Sequence, residues 1–521
     1  MLVLALKPGH DGTVAIVRDR KLLYSIEAEK DSFGRYSALT PTAILAAAEL
    51  IGDVPDVVAL GGWREQGTMR HRQIGAGYDG VRDVIDRPAR FFGRSVRFFS
   101  SSHERSHIMM ALGMAPAGQH PIQTVLVWEG DTGAFYVIDE RYDVIRAIPV
   151  LTEPGGRFAF LFALADATFP DNGALPRLGD SGKLMALAAY GKAVETDAGT
   201  TATVDRILAL DTVYPAPKHA FRDSPLYNAG VEAEATKAAA ALLTDRIFTM
   251  FATVARQQLP PGTPLRISGG CGLNCDWNAA WTELGHFSSV FVPPCTNDSG
   301  SAIGTAADAL AALTGDPHID WDVYSGLEFV NDAEPDASRW QRSPADDRLL
   351  AQALGEGRIV AWVQGRWEIG PRALGNRSIL AEPFGEETRQ RLNAIKQREQ
   401  YRPIAPACRV EDLAAAFHED FDDPCMLHFR RVREEQGLRA VTHVDGSARV
   451  QTVSRSSNRR LHDLLSQFAR LRGLGILCNT SLNFSGHGFI NRMTDLVRFC
   501  ESQGISDMVV GDTWYRHRQA G

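Results

Sequence analysis

The chain has 521 residues, 44% of them hydrophobic and 23% charged, with a formal net charge of −8 at pH 7. That length exceeds one ordinary domain and predicts two. The negative balance disfavours an extended nucleic-acid surface, because phosphate contacts need a concentrated positive face. No apolar run is seen to reach the roughly eighteen residues that cross a bilayer, so neither a nucleic-acid nor a membrane partner is expected. Seven scattered cysteines, odd in number, fit a reducing cytoplasm better than a disulfide framework.

The N-terminus reads as a strand, Leu2 to Leu6, rather than a signal peptide. It is followed by the turn Pro8-Gly9-His10-Asp11-Gly12 and by strands at Thr13 to Val17 and Leu22 to Ile26. The same order returns from Thr124. A strand at Val125 to Trp128 precedes the turn Glu129-Gly130-Asp131-Thr132-Gly133, and strands follow at Ala134 to Ile138 and Val144 to Ile148. Two such units suggest an internal duplication, as in actin-like nucleotide-binding folds. Thr40 to Ile51 and Val231 to Gln258 read as helices. The polar stretch Asn331 to Asp347 marks a domain boundary. Beyond it come a helix from Arg348 to Leu354 and a strand from Ile359 to Val363.

His103 and His107 stand four apart, which on a helix puts both imidazoles on one face within reach of one metal ion. The segment also fits the H-E-x-x-H pattern of zinc peptidases, with Glu104 as the would-be base, but that short pattern recurs by chance. Glu129, Asp131 and Asp298 lie in turns where carboxylates face an active cleft. Two imidazoles with carboxylates suit iron(II) or another divalent metal that must also bind a ligand oxygen. Glycine turns at Gly9 to Gly12, Ser181-Gly182-Lys183 and Ser268 to Gly272 could bring backbone N–H groups to an anion. Cys271 and Cys275 read as small packing residues. The second domain packs Arg366, Arg372 and Arg377 between glycines, with Lys396, Arg398 and Arg402 soon after. Guanidiniums that alternate with Gly, Pro, Trp and Leu predict a buried polyanion pocket rather than a solvated face.

These motifs together resemble the ATP-dependent O-carbamoyltransferases, a family that includes the nodulation-factor, tobramycin and hydroxymethylcephem enzymes. The matching pieces run in family order: Lys7 to Gly12, the His103/His107 pair, Ser181 to Gly191, Gly269 to Cys275, Asn297 to Gly300, Gly370 to Ser378, Tyr401 to Pro406, Asn479 to Asn483 and Val510 to Asp512. The stretch Glu29 to Phe33 and the overall length look most like the hydroxymethylcephem members. The resemblance implies an α/β protein with an N-terminal actin-like domain (duplicated, ribonuclease-H-like, TsaD-like; residues 1–335). A C-terminal YrdC-like domain (residues 345–521) follows. The C-terminal module would form carbamoyl adenylate from carbamoyl phosphate and ATP, with Mg²⁺ accompanying ATP. The N-terminal module would hold the adenylate on iron(II) and transfer its carbamoyl group to a hydroxylated small molecule, a cephem or a glycosylated antibiotic. By motif position, His103, His107, Glu129 and Asp298 would be metal ligands; where the family has an aspartate this chain has Glu129, with Asp131 as the alternative. Arg372, Lys396, Arg402, Arg449, Asn479 and Ser481 would bind carbamoyl phosphate and ATP, with Arg372 and Lys396 in the chemistry. Gly9, Lys183, Gly269, Gly270 and Asn274 would bind the adenylate. His10 is the candidate acceptor base. Homodimerisation stays open. A tRNA-threonylcarbamoylating enzyme, an actin-like kinase, a zinc peptidase and a non-enzymatic ATP-binding regulator are the competing readings.

Overall fold

The opening Leu-Val-Leu-Ala-Leu run is buried almost throughout, as a central strand of a mixed sheet requires. In the computed structural model, which describes residues 1–65, 72–118, 120–192 and 195–518, this run is β1 (Leu2–Lys7). It pairs antiparallel with β2 (Thr13–Arg18), and β2 pairs antiparallel with β3 (Lys21–Glu27). Helix α1 (Pro41–Ile51), N-capped by Thr40, leads into β4 (Val57–Gly61), which runs parallel to β1. Strands β5 (Val84–Phe91) and β6 (Arg94–Ser101) complete the sheet, in the order β3-β2-β1-β4-β6-β5. Helix α2 (His103–Gly113) follows at once.

A second sheet repeats this plan. Strands β7 (Ile122–Trp128), β8 (Gly133–Asp139) and β9 (Val144–Pro149) are antiparallel neighbours, and β10 (Pro264–Ser268) and β11 (Ser289–Phe291) run parallel on the other side. The order β9-β8-β7-β10-β11 matches β3-β2-β1-β4-β6 of the first sheet in both sequence and direction, the first sheet adding the antiparallel edge strand β5. The expected duplication is present.

The third sheet begins at β12 (Trp340–Pro344). It continues with β13 (Val360–Val363), β14 (Arg377–Ala381), β15 (Ala405–Arg409), β16 (Gln451–Val453), β17 (Ile476–Ser481), β18 (Asp507–Val510) and β19 (Thr513–His517). The eight strands lie in the mixed order β12-β19-β18-β13-β14-β17-β15-β16.

The chain forms two compact units, one of residues 1–114, 298–442 and 446–521, the other of 115–297 and 443–445. A division at 335–345 follows the start of the third sheet; the compact units follow packing instead. The first sheet shares a unit with the third, and residues 25–35 bond to segments outside the third sheet's strands. Ser25 N–H donates to Ser325 O at 2.7 Å, Ser32 N–H to Phe489 O at 2.9 Å, and Arg35 N–H to Gly486 O at 2.9 Å.

Within the second unit, Trp128 at the end of β7 stacks on Trp277, with ring centroids 4.3 Å apart, and both are buried. Two expectations change here. Ser181-Gly182-Lys183 is not a turn but the first turn of helix α3 (Leu178–Gly191), because Asp180 suits a helix start and Leu184 and Leu187 fall on its buried side. The predicted helix to Gln258 is α4 (Glu234–Gln258), long and apolar enough by length and composition to cross a bilayer, contrary to the reading that no run is. Leu243, Ile247, Phe251 and Ala255, at fourfold spacing, are buried, and so mark a core-facing stripe. No two of the seven cysteines form a disulfide.

Candidate functional site

The histidines of α2 and the carboxylate of Asp298 are brought together by close helix packing. Asp298 opens a 3₁₀ turn that feeds helix α5 (Ser301–Thr314). At Gly304 of α5 a Cβ would lie 1.9 Å from the carbonyl oxygen of Ser106, so only glycine permits this approach of α5 to α2. Ser106 and Thr305 hydroxyls bond at 2.9 Å, and Arg105 grips Asp308 with two bonds of 2.7 and 2.8 Å. His103 and His107 are both buried, not surface residues.

His107 Nε2 lies 3.2 Å and His103 Nε2 3.7 Å from the same oxygen, Asp298 Oδ1. The other oxygen, Oδ2, faces Lys7 Nζ at 3.0 Å and His10 Nδ1 at 3.6 Å. Burial alone would raise the Asp298 carboxyl, but Lys7, His103 and His10, with the His107 hydrogen bond, hold it well below the usual carboxylate range. His103, His107 and Asp298 each offer a donor atom within 4.8 Å of the others. That nitrogen–nitrogen–oxygen set fits a divalent transition metal.

Glu104, the would-be peptidase base, accepts the Gly80 N–H at 2.7 Å and N-terminal helix geometry accounts for it. Its carboxylate serves the loop that covers α2. Tyr78 in that loop stacks on His103 at 4.5 Å, and Trp63 sits edge-on to His103 and to His10, both at 5.0 Å. A Cβ at Gly9 would lie 2.1 Å from the Trp63 ring, and Gly9 has φ +77°, so this turn needs glycine twice over.

His10 keeps partial access to solvent, its side chain 39% exposed, and its Nδ1 lies 2.9 Å from Asp11 Oδ2. A carboxylate at that distance makes Nδ1 the donor and leaves Nε2 as the basic nitrogen. Burial pulls the imidazole pKa down, yet the Asp11 bond and the Asp298 charge outweigh it and raise it above the ordinary value. Lys7, Asp11, Trp63 and Tyr78 were not singled out for roles by sequence reasoning. For Lys7 and Asp11, membership of the same glycine turn as His10 was the available signal; Trp63 and Tyr78 had none.

On the second unit, Glu129 directly follows β7 and is buried, whereas Asp131 is exposed. Gly269 has φ +97° and a Cβ there would meet the Trp128 carbonyl at 2.4 Å. Gly270 opens the 3₁₀ turn Gly270–Leu273, and the Asn274 side chain caps the next helix through the N–H groups of Asp276 and Trp277. Lys183 pairs with Asp180 at 3.0 Å.

The arginine-rich segment sorts into structural and pocket residues. Arg377 donates to the carbonyls of Gln364, Gly365 and Asn376 and to Asn491 Oδ1, and Arg366 to the carbonyls of Gly326 and Leu23. These two guanidiniums hold the fold, which corrects the expectation that all three arginines line one pocket. Arg372 sits on a turn whose far end is fixed by buried Glu368. One oxygen of Glu368 accepts the N–H groups of Leu374, Asn376 and Arg377 at 2.7, 2.7 and 3.1 Å. Arg372 itself donates to the Met426 carbonyl.

Asn479 on β17 ties that turn to the sheet, donating to Ala373 O at 3.2 Å and Gln451 Oε1 at 2.8 Å. Strand β17 runs through Ser481, and Lys396 Nζ donates to Ser481 O at 2.5 Å and Asn483 O at 3.1 Å. Burial, then the charges of Arg398, Arg35 and Arg402, hold Lys396 well below the usual lysine range. Burial, Arg402 and Arg449 bring Arg398 down to about 9. Arg35, which no motif had flagged, thus adds a cation from the N-terminal half. A buried lysine lowered by neighbouring cations suits a site for an anion.

The chain is similar to known proteins along most of its length. A model described as the carbamoyltransferase N-terminus matches residues 94–307, and one described as the carbamoyltransferase C-terminus matches residues 351–517. The chain is 66% identical to a 3'-hydroxymethylcephem-O-carbamoyltransferase of Amycolatopsis lactamdurans, over 100% of both chains. It is 65% identical to the Streptomyces clavuligerus protein of that name over 99% of both. Nodulation protein U of Sinorhizobium fredii is 33% identical over 94% of this chain and 95% of its own. Among solved structures, an activator of 2-hydroxyisocaproyl-CoA dehydratase from Clostridium difficile covers 59% of this chain and 93% of its own. Its TM-score is 0.33 at 13% identity.

Proposed function

We propose, from the premise that this chain belongs to the carbamoyltransferase family, that it carbamoylates the hydroxyl of a 3-hydroxymethylcephem, using carbamoyl phosphate and ATP. The observation that carries this reading is the similarity along the whole chain to two 3'-hydroxymethylcephem-O-carbamoyltransferases.

Activation is assigned to residues 345–521, the YrdC-like part, and transfer to residues 1–335, the actin-like part. Carbamate resists attack because its charge repels a nucleophile; joined to AMP it becomes a mixed anhydride with a good leaving group. Around Lys396, the cations Arg372, Arg402 and Arg449, with Asn479 and Ser481, would bind carbamoyl phosphate and the phosphates of ATP with its Mg²⁺. The crowding of like charge there supports the assignment.

For transfer, His103, His107 and Asp298 would hold a divalent metal, with Glu129 preferred to Asp131 as a further ligand because Glu129 is buried. Iron(II) suits this mixed nitrogen–oxygen set. Such an ion, when bound, polarises the carbamoyl carbonyl and offsets developing negative charge. His10 takes the acceptor proton at Nε2 while Asp11 fixes its ring. Lys7 orients Asp298 through Oδ2, leaving Oδ1 toward the two imidazoles. Gly9, Lys183, Gly269, Gly270 and Asn274 are assigned to the adenylate.

The test is direct. Protein supplied with carbamoyl phosphate, ATP and a 3-hydroxymethylcephem should yield orthophosphate from hydrolysis of carbamoyl phosphate to carbamate, pyrophosphate, AMP and a product carrying one added carbamoyl group. A kinase would yield ADP, a peptidase none of these, and carbamoylation of only a different alcohol would overturn the acceptor.

A further inference from the structure

Glu27 and Lys30 are buried, yet they lie outside both charge clusters. Glu27 is the last residue of β3, and Lys30 follows three residues on. Both reach a glycine some 340 positions away in sequence. Glu27 Oε1 accepts the Gly370 N–H at 2.7 Å, and Lys30 Nζ donates to the Gly370 carbonyl at 2.7 Å. The two side chains face each other at 3.3 Å, and Lys30 also lies 3.6 Å from Glu29 and 3.8 Å from the Phe489 ring centroid. One ion pair therefore holds both backbone polar groups of Gly370.

Gly370 has φ +85° and begins the turn that carries Arg372, whose other end Glu368 fixes. A buried ion pair is weak as a source of stability, because desolvation offsets its attraction. Its geometry here is more specific than stability would need.

We infer that Glu27 and Lys30 are positioning residues for the known reaction: by clamping Gly370 they set where Arg372 stands to receive carbamoyl phosphate. Neither touches substrate; they act through the turn. The inference rests on the assignment of Arg372 to the anion site. It makes the N-terminal half a structural part of the activation site, whichever half performs transfer.

Removing one partner would strand a buried charge and risk unfolding. The decisive variant is therefore the double E27L/K30M, neutral and apolar, in the full-length protein. It should fold, with a thermal midpoint lowered by the two buried Gly370 backbone groups it leaves without a side-chain partner. Its KM for carbamoyl phosphate in pyrophosphate release should rise between about tenfold and 10²-fold, the range that misplacing a binding group produces, with kcat little changed. Transfer from supplied carbamoyl adenylate should be unaltered, and K30R, which keeps charge and donor, should retain a KM near that of wild type. An unchanged KM in E27L/K30M while R372A loses pyrophosphate release overturns the clamp and leaves the assignment of Arg372 standing. An R372A protein with wild-type KM removes that assignment and the clamp with it. Equal losses in KM, kcat and transfer would show a general structural role and also overturn the inference.

Discussion

Around Asp298 one carboxylate gathers Lys7, His10, His103 and His107, whereas around Lys396 the neighbours Arg35, Arg398 and Arg402 all share its sign. At the first cluster, folding itself supplies the countercharge, so the carboxyl stays ionised, with Lys7 and His10 at one oxygen and the imidazoles of His103 and His107 at the other. At the second, folding brings cations together and offsets them only in part, through Glu29 at 2.9 Å from Arg35 and Glu399 at 3.8 Å from Arg402. The first arrangement suits holding a cation by donor atoms, the second suits an anionic substrate. Each can be broken without the other, and that gives the comparison its tests.

The largest effect is expected at the metal ligands. H103A should abolish transfer, by at least about 10³-fold, more than the loss of a mere outer partner of a metal ligand brings. Bound metal, measured by elemental analysis, should fall with it, while pyrophosphate release continues. Full transfer by H103A, or by protein stripped of metal, would remove the metal from the mechanism. Next comes H10N, which keeps hydrogen-bonding reach but cannot take a proton. Transfer should slow by about 10² to 10⁴, the usual share of a general base, with metal content and adenylate formation intact. Near-normal transfer would place the base elsewhere.

Breaking the second cluster should leave the first untouched. R402A should lower carbamoyl-phosphate-dependent pyrophosphate release by about 10² to 10³, as loss of one preorganised charge-stabilising group does. Chemically supplied carbamoyl adenylate should still be used at the wild-type rate. If it fails to rescue the variant, activation and transfer are not separable in the way the two clusters suggest.

What could be read in advance follows from what each residue depends on. The paired strand units were legible because alternation and glycine turns are local, and their shared order of sheet pairing followed. The one-turn spacing of His103 and His107 was legible for the same reason, but not their burial, which depends on Gly304 admitting α5 against α2. Ser181-Gly182-Lys183 misled because a glycine between polar residues reads as a turn, while buried Leu184 and Leu187 settle it as helix. In the arginine-rich segment, sequence could not separate Arg377, saturated by backbone carbonyls, from Arg372, since both sit among glycines. Lys7, Trp63, Arg35 and the Glu27–Lys30 pair depend on contacts between distant segments, and no spacing in the chain announces those.

The smallest effect concerns a carboxyl that also faces a lysine yet behaves oppositely to Asp298. Glu27 lies 3.3 Å from Lys30 as Asp298 lies 3.0 Å from Lys7. Burial raises Glu27 from 4.5 to about 7, and Lys30 only partly opposes it, with Glu29 adding to the rise. Asp298 goes down because imidazoles join its lysine; Glu27 goes up because burial outweighs the one lysine it shares with Glu29. The sign for stability follows from linkage. A carboxyl raised by folding gives stabilisation that is fully present below pH 4.5, where both states are protonated, and that is lost as pH rises through about 7. Between pH 8 and pH 5 the wild type should therefore gain about 2 to 3 kcal/mol relative to E27Q, which does not titrate. Denaturant midpoints of the two proteins at those pH values measure it. A difference that stays constant from pH 8 to pH 5 would mean that Glu27 remains ionised throughout, held down by its lysine as Asp298 is.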